Sequence, residues 1–282
     1  MKYANIYMKK IITVLLVLIT ILSSQSQSNI DSDLKVLYKL DYKKFDNSDD
    51  VRSAYTVLIS KNQGSLFTFE KMMSLDSIQR IRELDAGDVM FYRPAYFLLT
   101  KRENDSIFHY EMIGKDLLQF KESINLEWKL VNESKNINGF LCKKATLNYG
   151  GRNWIAWYTP EIPKNTGPYK FYGLPGLIMS IKDDELIFEF EAIAVRFGSF
   201  DTNSNVDNFF VTDEEEKFEE IEKEEFYELR SKFYAMTLKQ RLDYMNREDG
   251  GIIDAEITNA DGERININRK SKKRNFIERE NK

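Results

Sequence analysis

Two side chains in this sequence could act as a nucleophile and its base: Cys142, the only cysteine, and His109, the only histidine. A thiol and an imidazole form a catalytic pair only within hydrogen-bonding distance of each other. Nothing local brings them together, since His109 lies in the strand-like segment SIFHYEMI and Cys142 in another, residues 141–149. We interpret Cys142 as a small buried residue of a strand. A hydrolase or redox enzyme that uses carboxylates or Cys142 stays the alternative.

The sequence lacks the groups of residues that usually bind cofactors and metals. With one histidine and one cysteine, histidine-rich and cysteine-rich metal sites are excluded. No glycine-rich loop with a suitably spaced lysine is present to cradle phosphate. Asp183, Asp184 and Glu185 are adjacent carboxylates, but they fall in a predicted hairpin turn, where a solvated surface accounts for them. The sequence therefore predicts no cofactor and no bound metal.

Aromatic residues concentrate between residues 154 and 172, and they are the best candidates for a binding site. Because successive residues of a strand point to opposite faces, about half of them should belong to the core. The others could line a cleft at the open end of a sheet, where Arg152 and Lys170 would hold a polar group of an apolar or peptidic ligand. Core packing alone is the competing explanation. The predicted ligand-binding residues are Arg152, Trp154, Trp157, Tyr158, Tyr169, Lys170 and Tyr172.

Residues 1–27 have the order of a secretory signal peptide. Three lysines precede an apolar run at 11–22, and the small polar stretch SSQSQS follows it. A run of about 12 residues is too short for a membrane-spanning helix, which needs about 20. The sequence predicts export to the periplasm or the medium, cleavage within 24–28 and no stable membrane anchor afterwards. Translation begins at Met1 or Met8.

The mature chain is acidic. Removal of residues 1–27, with three lysines and no acids, takes the formal charge from −4 to −7. Nucleic acid requires a coherent basic surface, so we predict no nucleic-acid partner. The predicted partners are a small apolar or peptidic ligand or a cell-envelope protein. A single cysteine excludes an intramolecular disulfide, so the core must supply the stability.

Most of the mature chain has the composition of β-strands. β-branched and aromatic residues form short runs that are separated by turn residues. The turn at Gly150 and Gly151 is typical of a tight hairpin. Four of the five prolines lie within residues 160–175, which predicts an ordered loop across one end of the sheet. The predicted strand pairs are residues 34–45 with 55–60, 141–149 with 154–159, and 178–181 with 186–195.

Two segments interrupt the strand pattern. Helical spacing predicts a short helix near residues 70–82, and an acidic segment without proline or glycine predicts one long helix at about 213–246. The expected fold class is mainly β (α+β), a curved antiparallel sheet or half-barrel with these two helices. The predicted organisation is a signal peptide at 1–27, a single domain at 28–268 and a charged flexible tail at 269–282.

The segment GLPGLI places two glycines and a proline inside an apolar, strand-like run. Pro175 and Gly176 occupy the second and third positions of a four-residue turn, which predicts a type II turn with positive φ at Gly176. Gly173 would let the backbone bend just before it. The apolar residues would insert into the core, so the motif is predicted as a structural corner that leads into a hairpin. The predicted corner comprises Gly173, Leu174, Pro175, Gly176, Leu177 and Ile178.

The same letters are the name of a protein family. Residues 151–184, GRNWIAWYTPEIPKNTGPYKFYGLPGLIMSIKDD, resemble the central signature of the GLPGLI family of exported bacterial proteins, and residues 142–145 resemble the strand before it. The likeness extends more weakly from Val36 to residues 275–278. The resemblance implies export in bacteria with an outer membrane, and it supplies no catalytic residues because the family has no established activity. We expect a non-enzymatic periplasmic binding or accessory protein.

Overall fold

Twelve β-strands and two helices make up the part of the chain that the structure describes. This computed structural model describes residues 32–45, 48–61, 64–70, 73, 99–114, 116–200, 218–245, 268 and 273–278. The strands are β1 Asp33–Lys43, β2 Val51–Lys61, β3 Gly64–Phe69, β4 Leu99–Glu103, β5 Ser106–Ile113, β6 Asp116–Glu122, β7 Lys129–Ile137, β8 Phe140–Tyr149, β9 Arg152–Thr159, β10 Leu177–Asp183, β11 Phe188–Gly198 and β12 Glu219–Glu220. The helices are α1 Lys223–Ala235 and α2 Leu238–Met245.

The strands form one open sheet, so the predicted mainly β class is confirmed. Their order is β12, β6, β5, β4, β3, β2, β1, β11, β10, β9, β8, β7. Among these strands β12 and β6 form the one parallel ladder, and an isolated parallel bridge joins Thr166 to Leu177 of β10. The three predicted strand pairs are present as β1 with β2, β8 with β9, and β10 with β11. Neither described helix is long and apolar enough to cross a bilayer.

β1 shows why the sequence forms strands here. Its sequence DLKVLYKLDYK alternates between buried and half-buried residues along its whole length. Successive strand residues point to opposite faces, so one face of β1 carries only core residues. Those residues are Leu34, Val36, Tyr38, Leu40 and Tyr42.

The sheet curves toward its buried face, which we call the concave face. The rings of Phe67 on β3 and Phe190 on β11 lie 6.0 Å apart, centroid to centroid, although β2 and β1 separate the two strands. Three strand spacings would span about 14 Å in a flat sheet. The short ring distance therefore requires curvature.

Three segments of the chain cover the concave face. The crossing loop, residues 160–176, leaves β9 and reaches β4, where the Thr100 hydroxyl donates to the Tyr169 carbonyl at 3.3 Å. Helix α1 packs Phe226 and Phe233 against β5 and β6. The strap, residues 273–278, makes an isolated antiparallel bridge from Arg274 to Phe45. The space inside the curve is thus filled by the chain itself.

The predicted long acidic helix is wrong for the described residues. Glu219–Glu220 is extended in β12, and the helical part divides into α1 and α2. Met236 adopts an extended conformation at the end of α1. Thr237 and Gln240 then cap α2 reciprocally, each side chain accepting from the backbone N–H of the other at 3.2 and 2.8 Å. This capping box begins a new helix.

The predicted flexible tail is wrong for the strap. Asn275, Ile277 and Glu278 are buried. The Asn275 backbone N–H donates to the Lys44 carbonyl at 3.0 Å, and its side-chain amide donates to the Lys43 carbonyl. A high density of charge suggested a solvated segment, but the residues between the charges pack into the core.

Some predictions fall outside the described residues. The signal peptide at 1–27 lies there entirely, and so do residues 213–217 of the predicted long helix. Of the predicted helix near 70–82, only Glu70 and Met73 are described, and both are helical.

The GLPGLI corner lacks the hydrogen bond of the predicted type II turn. The Leu177 N–H donates to the carbonyl of Ile162 at 3.0 Å, and not to that of Leu174 as a type II turn would have it. Gly173 and Gly176 have φ of 100° and 151°. The corner is therefore fastened to the preceding part of the crossing loop, while Leu174, Leu177 and Ile178 enter the core as predicted.

Candidate functional site

The structure commits most of the predicted ligand-binding residues to the interior. Arg152, Trp154, Tyr158, Tyr169 and Lys170 are buried, and Trp157 and Tyr172 are half-buried. Their environments differ, so they do not form one cleft. Three separate arrangements of aromatic or charged residues result.

The first arrangement is an aromatic group around Phe171. Its ring lies 4.6 Å from that of Trp154 and 6.2 Å from that of Tyr169. Tyr172 is held at the edge of this group, since its hydroxyl donates to the Ile124 carbonyl at 2.5 Å. The crossing loop is anchored by these contacts, which are those of a packed core.

Trp157 lies on the opposite face of β9 from Trp154. The Lys135 ammonium lies 4.4 Å from the centre of its ring, a cation–π contact. The alternation along β9 thus divides the predicted cluster between the two faces of the sheet.

The second arrangement is a buried ionic cluster where the crossing loop, β6, α1 and the strap meet. The Lys170 ammonium is fully buried between Glu122 and Glu278, at 2.7 Å from Glu278 Oε1. Lys223 of α1 forms a second ion pair with Glu122. The Tyr169 hydroxyl donates to Glu278 Oε1, and the Tyr227 hydroxyl donates to Oε2 at 2.7 Å.

Glu278 is ionised in this cluster. Burial alone would raise the pKa of its carboxyl. The Lys170 ammonium and the hydroxyls of Tyr169 and Tyr227 outweigh that effect, and they hold the pKa of Glu278 below its ordinary value. A charged carboxylate is therefore bound in the interior by three donors.

A small cavity lies next to the ionic cluster. His109 Nε2 is 3.5 Å from Glu111 Oε2, and Arg230 Nη1 is 3.8 Å from the same oxygen. Among the described residues, His109 Nδ1 and Arg230 Nε have no hydrogen-bond partner. The free space is about 20 Å³, enough for about one water molecule. Burial, and then the nearby Lys170 charge, lower the pKa of His109, so its imidazole is neutral.

The third arrangement joins Arg152 to the strap. Its guanidinium lies 2.7 Å from Asp183 Oδ2, and both side chains are buried. Arg152 also donates to the carbonyls of Phe276 and Ile277, at 3.0 and 3.1 Å. Asp183 Oδ1 accepts from the N–H groups of Ile187 and Phe188. The sequence interpretation placed Asp183 on a solvated turn, which is wrong for Asp183 because this network removes it from solvent.

Cys142 and His109 do not come together. Cys142 is on β8 and His109 on β5, and seven strands lie between them in the sheet. Among the described residues, no three histidine, cysteine, aspartate or glutamate side chains are grouped as they would be to hold a metal.

We expect the Cys142 thiol to resist alkylation in the folded protein. Burial raises its pKa to about 11, so only about one thiol in a thousand is ionised at pH 8. The measurement is the rate of iodoacetamide labelling at pH 8 with and without urea. Labelling should speed up only in urea, and rapid labelling of the native protein would return Cys142 to the candidate nucleophiles.

Sequence reasoning missed most members of the ionic cluster. No sequence motif marks Glu122, Tyr227 or Lys223. Glu278 was assigned to the charged tail. One signal was available for Glu278, because Phe276 and Ile277 form an apolar pair within an otherwise charged segment.

These arrangements define a mainly β protein with an open curved sheet whose concave face is occupied by its own chain. Residues 151–180 match a family model described as "Protein of unknown function (Porph_ging)". The match lies within the segment that carries the GLPGLI resemblance. A comparison with curated proteins gives no match.

A comparison with solved structures gives alignments at low sequence identity. PNGF-II in a C2 crystal form aligns over 73% of this chain and 34% of its own, with a TM-score of 0.50 and 14% identity. Its P21 form gives a TM-score of 0.49 at 16% identity over the same shares. The LolA superfamily protein NE2245 from Nitrosomonas europaea gives 0.28 at 8% identity, over 63% of this chain and 92% of its own. This chain spans about a third of the length of PNGF-II, and the likeness to the C2 form shows a similar fold alone.

Proposed function

We propose that this is an exported, non-enzymatic binding or accessory protein of the GLPGLI type, and that its binding site is the concave face of a half-barrel-like sheet. One observation carries the proposal: the concave face already holds a short segment of the chain, the strap, which bridges Phe45 at Arg274. Arg152 donates hydrogen bonds to two consecutive backbone carbonyls of the strap. Every peptide has such carbonyls, whatever its sequence, so these contacts favour a peptide ligand. Periplasmic or secreted localisation rests on the predicted signal peptide.

The size of the remaining space favours a peptidic ligand over a small apolar one. The cavity beside His109 has room for about one water molecule, whereas small-molecule pockets have about 300–1,000 Å³. A ligand must therefore take the place of the strap. A peptide in the conformation of the strap would reuse the hydrogen bonds that the strap makes.

An enzyme that uses carboxylates is the second candidate, and one observation favours it. His109, Glu111 and Glu278 converge on one cavity. However, Glu111 faces Arg230, and Glu278 is bound by Lys170 and two tyrosine hydroxyls, so neither carboxylate is placed to act on a substrate while the strap is bound. For the version of this alternative that uses Cys142, seven strands of the sheet separate the thiol from the His109 base.

If the strap is a displaceable occupant, its amides should exchange through a local opening. The Asn275 N–H bonds to the Lys44 carbonyl at 3.0 Å, and the Lys43 N–H bonds to the Ile187 carbonyl of the sheet at 2.9 Å. These neighbouring amides differ in that only the first belongs to the strap. We expect the Asn275 amide to exchange about 100-fold faster in native-state hydrogen exchange, and with little dependence on low urea.

The Lys43 amide is the matched control for this measurement. It should exchange with the denaturant dependence of global unfolding. Equal rates and equal urea slopes for the two amides would mean that the strap leaves only when the protein unfolds. The concave face would then be a closed core, and the proposed function would be wrong.

A further inference from the structure

We propose that the concave face binds, in trans, a peptide segment in which a glutamate follows an aromatic and an aliphatic residue. This inference rests on the proposed function and names its ligand class. The strap presents this pattern in cis as Phe276, Ile277 and Glu278. The partner is thus a protein with an exposed segment of the same chemistry.

The glutamate position is the most specific part of the site. Both carboxylate oxygens of Glu278 accept hydrogen bonds, Oε1 from Lys170 and Tyr169 and Oε2 from Tyr227. A glutamine could place its carbonyl oxygen at Lys170 and its NH₂ at the Tyr227 hydroxyl, which can accept, but it brings no negative charge to the buried ammonium and loses the charge-assisted hydrogen bonds. An aspartate is one methylene shorter and would not reach donors placed for a glutamate.

Charge balance points to the same ligand. Without Glu278, the ionic cluster would hold the ammoniums of Lys170 and Lys223 against the single carboxylate of Glu122. A carboxylate delivered by a ligand restores neutrality in a buried place, where unbalanced charge is costly. The vacated site would therefore select an anion.

The two residues before the glutamate are recognised through the packing of their side chains. Ile277 is 4% exposed and belongs to the main core cluster. The Phe276 ring lies 4.1 Å from the centre of the Arg230 guanidinium and 5.4 Å from the Tyr234 ring. An aromatic side chain is favoured there by the cation, and an aliphatic one by the apolar surroundings of Ile277.

The strap competes with any added peptide, so the test weakens the strap and leaves its groove unchanged. A tethered segment acts at an effective concentration of about millimolar, which masks a free ligand. The full-length variant Ile277→Ala removes core packing of the strap and changes no residue of the groove. Its probe is a labelled peptide with the sequence of residues 272–280, KKRNFIERE, and binding is measured by fluorescence anisotropy.

We expect this variant to bind the peptide more tightly than the wild-type chain does. Glutamine or aspartate in place of the peptide's glutamate should weaken binding about tenfold or more, since charge-assisted hydrogen bonds are lost. Equal affinity for the glutamate and glutamine peptides would overturn the inference, while the exchange result for Asn275 would still decide the proposed function. The inference would also be overturned if the wild-type protein sediments as a dimer and binds no peptide. The concave face would then be occupied by a second copy of this chain.

Two tyrosine variants in the Ile277→Ala background show whether the preference arises in the ionic cluster. Tyr227→Phe removes a hydroxyl that binds the glutamate, and the preference over glutamine should fall several-fold. Tyr172→Phe removes a hydroxyl that binds the Ile124 carbonyl, and the preference should not change. The same preference in both variants would contradict the proposed recognition.

Discussion

Replacing Lys170 with methionine is expected to lower the free energy of unfolding by about 3–5 kcal/mol. The Lys170 side chain is 0% exposed, and its ammonium is paired with Glu122 and Glu278, which are 8% and 5% exposed. Methionine fills a similar volume but leaves the two carboxylates facing each other without this cation. Urea denaturation of the wild-type and variant proteins measures the change.

Lys144→Met is the matched control for this substitution. The Lys144 ammonium pairs with Glu133 at 3.0 Å, and the Glu133 side chain is 53% exposed. Solvent-exposed ion pairs contribute about 0–1 kcal/mol, so this variant should unfold near the wild-type midpoint. If the two lysine variants shift the midpoint equally, Lys170 does not hold the crossing loop and the strap together.

Replacing Gly176 with alanine is expected to destabilise the protein by about 3 kcal/mol or more. A Cβ atom at this position would lie 2.1 Å from the Thr159 carbonyl oxygen, so the backbone has to move. Displacing packed structure costs about 1–3 kcal/mol. The φ of 151° adds strain that an L-residue with a side chain rarely tolerates, about 1–3 kcal/mol more. Thermal and urea unfolding measure the sum.

Gly139→Ala separates the two contributions. Gly139 has a φ of 88°, and a Cβ atom there would have no atom within 4 Å. Only the conformational cost remains, about 1–2 kcal/mol. A loss at Gly176 no larger than that at Gly139 would show that the close approach of the corner to Thr159 does not contribute.

The variants Lys170→Met and Gly176→Ala test two different ways of holding the crossing loop. Lys170 binds the middle of the loop to the strap and to β6 by charge, and Gly176 lets the end of the loop lie against β9 by its lack of a side chain. The loop and the strap share the ionic cluster. A weakened corner should therefore leave strap exchange less affected than the loss of Lys170 does.

Several local elements of this protein were determined by the sequence alone. Alternation in residues 33–43 specified β1, and Gly150 with Gly151 specified the turn between β8 and β9, where both have positive φ. Such signals work because they depend on neighbours in the chain, through the direction of side chains and the allowed φ of glycine. The break at Thr237 had a signal of the same kind, the capping box with Gln240, which the acidic composition obscured.

The site was decided by the tertiary structure. Glu122, Lys170, Lys223 and Glu278 are far apart in sequence, and no spacing relates them, yet the sheet, the crossing loop, α1 and the strap bring them into contact. The aromatic residues were correctly expected to divide between the faces of β9, but the sequence did not show that the cleft beside them is filled by residues 273–278. A buried charge gains its stability from partners that only folding supplies, because the attraction must offset the loss of water around each ion. In an unfolded chain these are ordinary charged residues, and their positions in the sequence do not indicate which of them form ion pairs.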